Sequence, residues 1–231
     1  MLRNYIASLL WPPRCAACNA LVREGTSFCP TCDISVVLLE DTCPACAMPA
    51  FGENRCPGCR RSPPVFVRAT AALAYGGSVS QALLRWKHGG HRHVVRSLAG
   101  FFSPLLSCAE EQGAEVVCPV PLHPRRLYQR GFNQALDLLC MARRSDSRMA
   151  VLRDTLLRTI DTPSLGHGTP ADRRRLVADA FSVRQPWRIQ KKRVLVVDDV
   201  MTTGATLAEC ARELLAAGAR EVAVAVLARA V

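Results

Sequence analysis

Val194-Leu195-Val196-Val197-Asp198-Asp199-Val200-Met201-Thr202-Thr203-Gly204-Ala205-Thr206 is the stretch on which the reading of this chain turns. An unbroken aliphatic run meets two carboxylates, then a turn of hydroxyls and glycine opens a helix expected over Leu207–Ala217. A continuous apolar run suits a parallel strand covered on both faces. In open α/β sheets ligands sit beyond the carboxyl ends of such strands, where Asp198 and Asp199 fall. Their oxygens suit a pair of vicinal sugar hydroxyls. The turn offers backbone N–H groups, three hydroxyls and the positive end of a helix, which suit a phosphate. A diol beside a phosphate describes ribose 5-phosphate.

Other phosphate loops do not fit. The chain has no G-x-x-x-x-G-K-S/T and no G-x-G-x-x-G, which sets aside the P-loop and Rossmann readings. The stretch resembles the 5-phosphoribosyl-1-pyrophosphate (PRPP) motif of type I phosphoribosyltransferases. That resemblance implies that Asp198 and Asp199 hold the ribose hydroxyls, while Thr202, Thr203, Gly204, Ala205 and Thr206 wrap the 5-phosphate.

At 231 residues, about half of them apolar, the chain suits one α/β domain plus a small accessory unit. No apolar run reaches the roughly 20 residues of a membrane helix. Met1–Trp11 reads as a short amphipathic helix rather than a signal peptide, and a cytoplasmic location is expected. The net charge of +11 is unevenly placed: residues 121–193 hold sixteen Lys or Arg against six acids. Such a concentration calls for a polyanionic partner, either a pyrophosphate or a nucleic acid.

Eight of the twelve cysteines form four C-x-x-C pairs: Cys15/Cys18, Cys29/Cys32, Cys43/Cys46 and Cys56/Cys59. Pairs this regular are zinc knuckles, each lending two thiolates to a tetrahedral site, so two structural zinc ions are expected. Pairing of the first knuckle with the second, and the third with the fourth, is favoured over interleaved pairing. A disulfide framework would need an exporting signal, and a redox C-x-x-C would be single, beside a strand and helix. Cys108, Cys118, Cys140 and Cys210 sit in apolar surroundings and read as core. His88, His91, His93 and His123 read as polar surface residues.

A proline break at Ser62-Pro63-Pro64 divides a zinc module, residues 1–62, from an α/β domain, residues 65–231. Strands are expected over Phe66–Tyr75, Glu115–Val120 and Glu221–Ala228, and helices over Ser78–Lys87, Val94–Glu111 and Phe132–Arg144. A basic loop follows Val120, and residues 158–175 read as a mobile loop. Alternating strands and helices mean a parallel sheet flanked by helices.

The second chemical stretch is Cys118-Pro119-Val120-Pro121-Leu122-His123-Pro124-Arg125-Arg126-Leu127-Tyr128-Gln129-Arg130-Gly131-Phe132-Asn133-Gln134. Guanidinium forks before a glycine and a helix start suit a diphosphate. It resembles the pyrophosphate loop of type I phosphoribosyltransferases, and Arg130 to Ala135 resembles the signature of the ComF family. The tandem knuckles and the segment from Lys87 fit that family too, so the resemblance spans nearly the whole chain. It implies a type I phosphoribosyltransferase-like fold behind a double zinc ribbon. It also implies pyrophosphate held by Arg125, Arg126, Arg130 and Gly131, and Mg²⁺ bound with PRPP. Asp198, Asp199 and Arg130 are then the catalytic candidates for pentosyl transfer. Family membership further implies a link to DNA uptake in natural transformation, with single-stranded DNA or the uptake machinery as partner. A non-catalytic PRPP sensor or a DNA-handling factor is the alternative, although few aromatics accompany the basic residues. One departure stands out: Thr162-Pro163-Ser164-Leu165 and Arg173-Arg174-Arg175-Leu176 carry Leu where ComF-like chains commonly carry Gln and Asn.

Overall fold

The computed structural model describes residues 12–50, 52, 54–89, 92–162 and 170–231. The helix expected over Met1–Trp11, together with His91 and Leu165, lies outside the described residues. In chain order the elements are α1 (Pro30–Asp33), α2 (Pro57–Arg61), β1 (Arg68–Ala74), α3 (Gly77–Gly89), α4 (Arg92–Glu111) and β2 (Val116–Pro119). Then come α5 (Pro124–Arg130), α6 (Gln134–Ala142), β3 (Ala150–Val151), β4 (Leu156–Arg158), α7 (Pro170–Val177) and β5 (Phe181–Val183). A 3₁₀ turn (Pro186–Arg188), β6 (Arg193–Met201), α8 (Ala205–Ala216) and β7 (Glu221–Arg229) complete the chain.

Five strands make a wholly parallel sheet in the order β1-β7-β6-β2-β3. The aliphatic runs supply both of its faces, because successive strand residues point to opposite sides. Val117, Leu195, Val197 and Leu227 pack with α3, α4 and α6 residues such as Trp86, Leu98, Phe102 and Leu138. Val116, Val194, Val196 and Val224 pack with Leu207, Cys210 and Leu214 of α8. The chain leaves β2 toward β3 and leaves the adjacent β6 toward β7, in opposite directions. The crevice between β2 and β6 is therefore a topological switch point, where ligands of open α/β sheets bind.

The basic segment after Val120 is not a loop. Pro124 sets the first helical position of α5, and the His123 side chain caps it by accepting from the Arg125 N–H at 3.3 Å. Likewise the expected mobile loop begins in β4, which pairs antiparallel with β5, and ends in α7. Leu176 lies in α7 beside Val177, which is buried against the α8 side of the core, so an apolar residue suits that helix. β6 runs on to Met201, so both aspartates are strand residues rather than loop residues.

The zinc module is fastened to the sheet. Residues 37–39 run antiparallel along the outer edge of β1: the Leu39 N–H donates to the Ala72 carbonyl at 3.0 Å and the Ala74 N–H to the Val37 carbonyl at 2.9 Å. Cys15, Ala16, Ala17 and Phe28 join the same core cluster as Trp86 and Leu98.

Candidate functional site

The cysteines assemble as the preferred pairing has it. Cys15, Cys18, Cys29 and Cys32 form one set and Cys43, Cys46, Cys56 and Cys59 the other, with all sulfurs of a set within 4.8 Å of one another. The Cys18–Cys29 and Cys46–Cys56 sulfurs are 3.7 and 3.6 Å apart, close to the roughly 3.8 Å edge of a tetrahedron with Zn–S bonds of about 2.3 Å. Local sequence makes each half. Cys29-Pro30 and Cys56-Pro57 start the one-turn helices α1 and α2, with Pro at the first position. Each opposing knuckle turns through a left-handed residue after its second cysteine, Asn19 in one and Ala47 in the other. Burial opposes ionisation of Cys15 and Cys43, but neighbouring backbone N–H groups bring their thiols down to about 6 and about 7. Burial and the neighbouring sulfurs push Cys32 up to about 12 and Cys59 higher still. Four thiols that accept one anionic charge readily and resist the rest fit a divalent cation at their centre. With all four ligands supplied by protein, such a site is structural rather than catalytic.

At the switch point the two sequence motifs meet. The Val120 N–H donates to the Val197 carbonyl at 2.9 Å, which brings the Arg130–Asn133 segment alongside Asp198 and Asp199. Asp199 is buried, and the Lys87 ammonium reaches its Oδ2 at 2.8 Å. Burial works against the charge on Lys87, but Asp199 and Asp198 raise its pKa overall. Asp198 Oδ1 accepts the Asp199 N–H at 2.9 Å. Burial, then the adjacent Asp199 carboxylate, push Asp198 up to about 8. Two carboxylates this close to one another cannot both ionise cheaply without added positive charge.

Beyond the pair, Thr202 and Thr203 are exposed and Gly204 adopts the left-handed conformation, φ 77°, as it caps α8. The Ala205 N–H reaches Thr203 Oγ1 at 3.4 Å, which folds the turn over the start of α8 with Thr206 in its first turn.

The arginines divide. Arg130 donates to Gln134 Oε1 at 2.7 Å, and its charge acts directly on Asp199. Gly131 follows in the left-handed region, φ 80°, and closes α5. Asn133 then caps α6 through the Leu136 N–H and also donates to the Val120 carbonyl. Phe132 stacks on Trp86 of α3, ring centroids 6.2 Å apart, and so ties this segment to the helix that carries Lys87. Arg126 is committed elsewhere, to Asp161 Oδ1 at 3.1 Å and to the Thr162 carbonyl, while Arg158 bonds Thr162 Oγ1 and lies over Phe181. Arg125 is largely exposed and 3.9 Å from Asp161. Of the three expected pyrophosphate arginines, Arg130 is the one whose charge the nearby Asp199 favours, while Arg125 and Arg126 face Asp161. A cavity of about 960 Å³ adjoins this arginine end, lined by Trp86, Arg130, Gly131, Phe132 and Arg158 among others, and by none of Asp198–Thr206.

Sequence reasoning left two residues out of the site. Lys87, which the sequence offers only as part of a family segment, pairs with Asp199. Arg229, at the end of β7, is buried and touches the Met201 and Thr202 carbonyls; its signal was a lone guanidinium closing an apolar strand. Of the four cysteines read as core, Cys118 and Cys210 are buried, whereas Cys108 is half-buried and Cys140 exposed, on the outward side of α6 near Arg153. Among the described residues no helix is long and apolar enough to cross a membrane.

Residues 6–62 match the double zinc ribbon domain and residues 162–230 the phosphoribosyl transferase domain. The chain is 30% identical over 219 residues to the DNA utilization protein YhgH of Salmonella typhimurium, covering 92% of this chain and 95% of that protein. It is 30% identical to competence protein F of Haemophilus influenzae, over 77% of this chain and 79% of that one. Competence protein ComFC of Streptococcus pneumoniae is 27% identical, with 87% of each chain covered. Two four-cysteine knuckle sets, a parallel sheet with a carboxylate pair at its switch point and relatives matched over nearly their full length lead to one assignment: the chain belongs to the ComF family.

Proposed function

We propose that the chain binds PRPP with Mg²⁺ and transfers or recognises its 5-phosphoribosyl group, in a cytoplasmic role tied to DNA uptake. One observation carries this reading: a carboxylate pair, Asp198 half-buried and Asp199 buried, a hydroxyl-rich turn and Arg130 converge on the crevice between β2 and β6. Asp198 and Asp199 would accept hydrogen bonds from the ribose 2- and 3-hydroxyls. Backbone N–H groups and hydroxyls of Thr202–Thr206 would hold the 5-phosphate. Arg130, at the turn that Gly131 closes, would receive the pyrophosphate, with the exposed Arg125 exchanging Asp161 for it. The carboxylate pair favours an added cation, and Mg²⁺ bound with the substrate would supply that charge and neutralise the leaving group.

In transfer, the bond from the anomeric carbon to the pyrophosphate oxygen breaks and its electron pair leaves with pyrophosphate. The acceptor's lone pair forms the new bond, and its proton departs. Arg130 stabilises the departing anion while the aspartates fix the ribose as positive charge develops on it. Lys87, already paired with Asp199, balances the carboxylates before substrate arrives.

Titration calorimetry of Mg²⁺ and PRPP against wild type and the Asp198→Asn plus Asp199→Asn double variant tests this. Binding by wild type alone supports the site; no binding by either refutes it.

A second reading, single-stranded DNA handling, has its own support. Relatives are named for DNA utilization and competence. The few aromatics of the basic region are well placed: Tyr128 is 90% exposed in α5 among Arg125, Arg126 and Arg130, and Trp187 is 69% exposed between Arg184 and Arg188. Exposed rings among guanidinium groups suit base stacking. Lys191 and Lys192 lie at the opposite, N-terminal edge of the sheet, next to the start of β6. DNA affinity that falls steeply with salt, and weakens in Lys191→Ala plus Lys192→Ala, supports this reading.

A further inference from the structure

The guanidinium of Arg229 spans two segments that the chain places 155 residues apart, the second zinc set and the ribose-phosphate turn. Its Nε donates to the carbonyl of Cys46 at 3.0 Å. Its Nη1 faces the carbonyls of Met201, at 3.1 Å, and of Thr202 and Ala230. Arg229 is 8% exposed.

We propose that Arg229 is a positioning residue through which metal occupancy of Cys43, Cys46, Cys56 and Cys59 sets the shape of the Thr202–Thr206 turn, and hence its affinity for an anionic sugar phosphate. Strand register puts it there, since Met201 of β6 pairs with Arg229 of β7 at the last rung before the turn. A guanidinium is planar and its donors are fixed relative to one another, so it cannot satisfy Cys46 and Thr202 together unless both carbonyls hold their places. At the turn, the guanidinium holds the Thr202 carbonyl, one residue before the Thr203 hydroxyl that the Ala205 N–H reaches. At the other end, the Cys46 carbonyl belongs to a tight knuckle. The Ala47 N–H donates to the Cys43 carbonyl at 2.8 Å, and Ala47 itself holds a φ of 56° that an alanine tolerates poorly. A knuckle so strained holds its shape when its two thiolates are drawn to one metal ion, and relaxes without it. Released from Cys46, the guanidinium keeps its charge and its need for acceptors, and shifts within the carbonyl cluster that includes the turn. The other zinc set touches the site by a separate route: Arg85 of α3 donates to the Cys15, Ala16 and Ala17 carbonyls two residues before Lys87.

The ligand in this proposal rests on the ribose-phosphate reading; the coupling does not, and the test separates the two. Zinc content, amide hydrogen exchange of Asp199–Thr206 and calorimetric titration with Mg²⁺ and PRPP are measured on wild type, Arg229→Gln, Cys56→Ser and the double variant. Arg229→Gln should keep both metal ions. In each single variant the turn should exchange faster and PRPP affinity should drop by a factor of about 5–150, the usual range of coupling between sites. Exchange of the core helix over Val94–Ala99 should stay at its wild-type rate. The double variant should be no worse than either single one, because the two substitutions break one linkage. Unchanged exchange of the turn in both single variants, or effects that multiply in the double variant, overturns the proposal. Faster exchange of the turn in both single variants, with a wild type that binds no PRPP, would uphold the coupling and remove the ligand. If Arg229→Gln does not fold, Arg229→Lys and chelator-treated wild type carry the same comparison.

Discussion

At pH 7 the ligand-free carboxylate pair should hold a proton that the ribose diol expels on binding. Burial and Asp199 place Asp198 at about 8, and because the two groups touch, the titration belongs to the pair. A group of pKa about 8 is roughly 0.9 protonated at pH 7. Hydroxyls that donate to both aspartates want two carboxylates, so binding should release about 0.9 proton at pH 7 and nearly none at pH 9. The same arithmetic gives a gain of about tenfold in apparent affinity between pH 7 and pH 9, equivalent to about 1.4 kcal/mol. Calorimetry in buffers of different ionisation enthalpy reads the proton count directly. The phosphates of PRPP release protons of their own, so the quantity that matters is wild type minus Asp198→Asn. Equal proton release by the two proteins at pH 7 would refute the argument. Linkage supplies an independent arm. Because the folded pKa is raised above the unfolded value of about 4, protonated Asp198 contributes stability that is fully present below about pH 4 and is lost as pH rises through about 8. The Tm of the ligand-free protein should fall across that window, and Asp198→Asn should flatten the fall.

Other perturbations follow from neighbouring contacts. Lys87→Met removes the ammonium 2.8 Å from Asp199. Urea unfolding at pH 8 should show a loss of about 2 kcal/mol, and the pH at which PRPP affinity rises should move upward. Gly204→Ala puts an L side chain at φ 77°, where the new Cβ meets Met201 Sδ only at an ordinary 3.5 Å. Strain without a clash should cost about 1–2 kcal/mol in thermal unfolding, and it should weaken PRPP binding while zinc content is unchanged. Arg126→Ala releases Asp161 and the Thr162 carbonyl. Amide exchange should quicken at Asp161 and Thr162, with little change in PRPP affinity. Chelation should release two zinc ions per chain, seen with a colorimetric metal indicator, and lower the Tm.

Local chemistry made much of this molecule legible. Val194–Val197 could only be a strand buried on both faces, and four evenly spaced C-x-x-C pairs announced two tetrahedral sets. What the sequence obscured depends on contacts distant along the chain or on signals of opposite sense. Pro124 after His123 was a helix start, yet the guanidinium-rich residues behind it favoured a loop reading. β4 and β5 are three residues each and separated by 22, too short for a period-two pattern to show. Lys87 lies 112 residues from Asp199, and no local rule pairs them. Arg126 has the residue type of a pyrophosphate ligand, but Asp161, 35 residues on, takes it. Spacing along the chain indicates which groups are available, whereas competition among neighbours settles which of them reach the crevice.

The segment of residues 37–39 along β1 bears on how the chain can be divided. β1 ends the sheet, and an uncovered outer strand offers its N–H and C=O groups to any other chain in reach. Here the segment between the two zinc sets occupies that edge, with Leu39 and Val37 bonded to Ala72 and Ala74, and Pro44 accepting the Ala69 N–H at 2.9 Å. The proline break at Ser62–Pro64 is thus a seam in the sequence but not in the hydrogen bonding. A protein cut there would lose the Cys46 carbonyl that holds Arg229 and present a bare β edge, inviting the sheet of a second copy to continue its own.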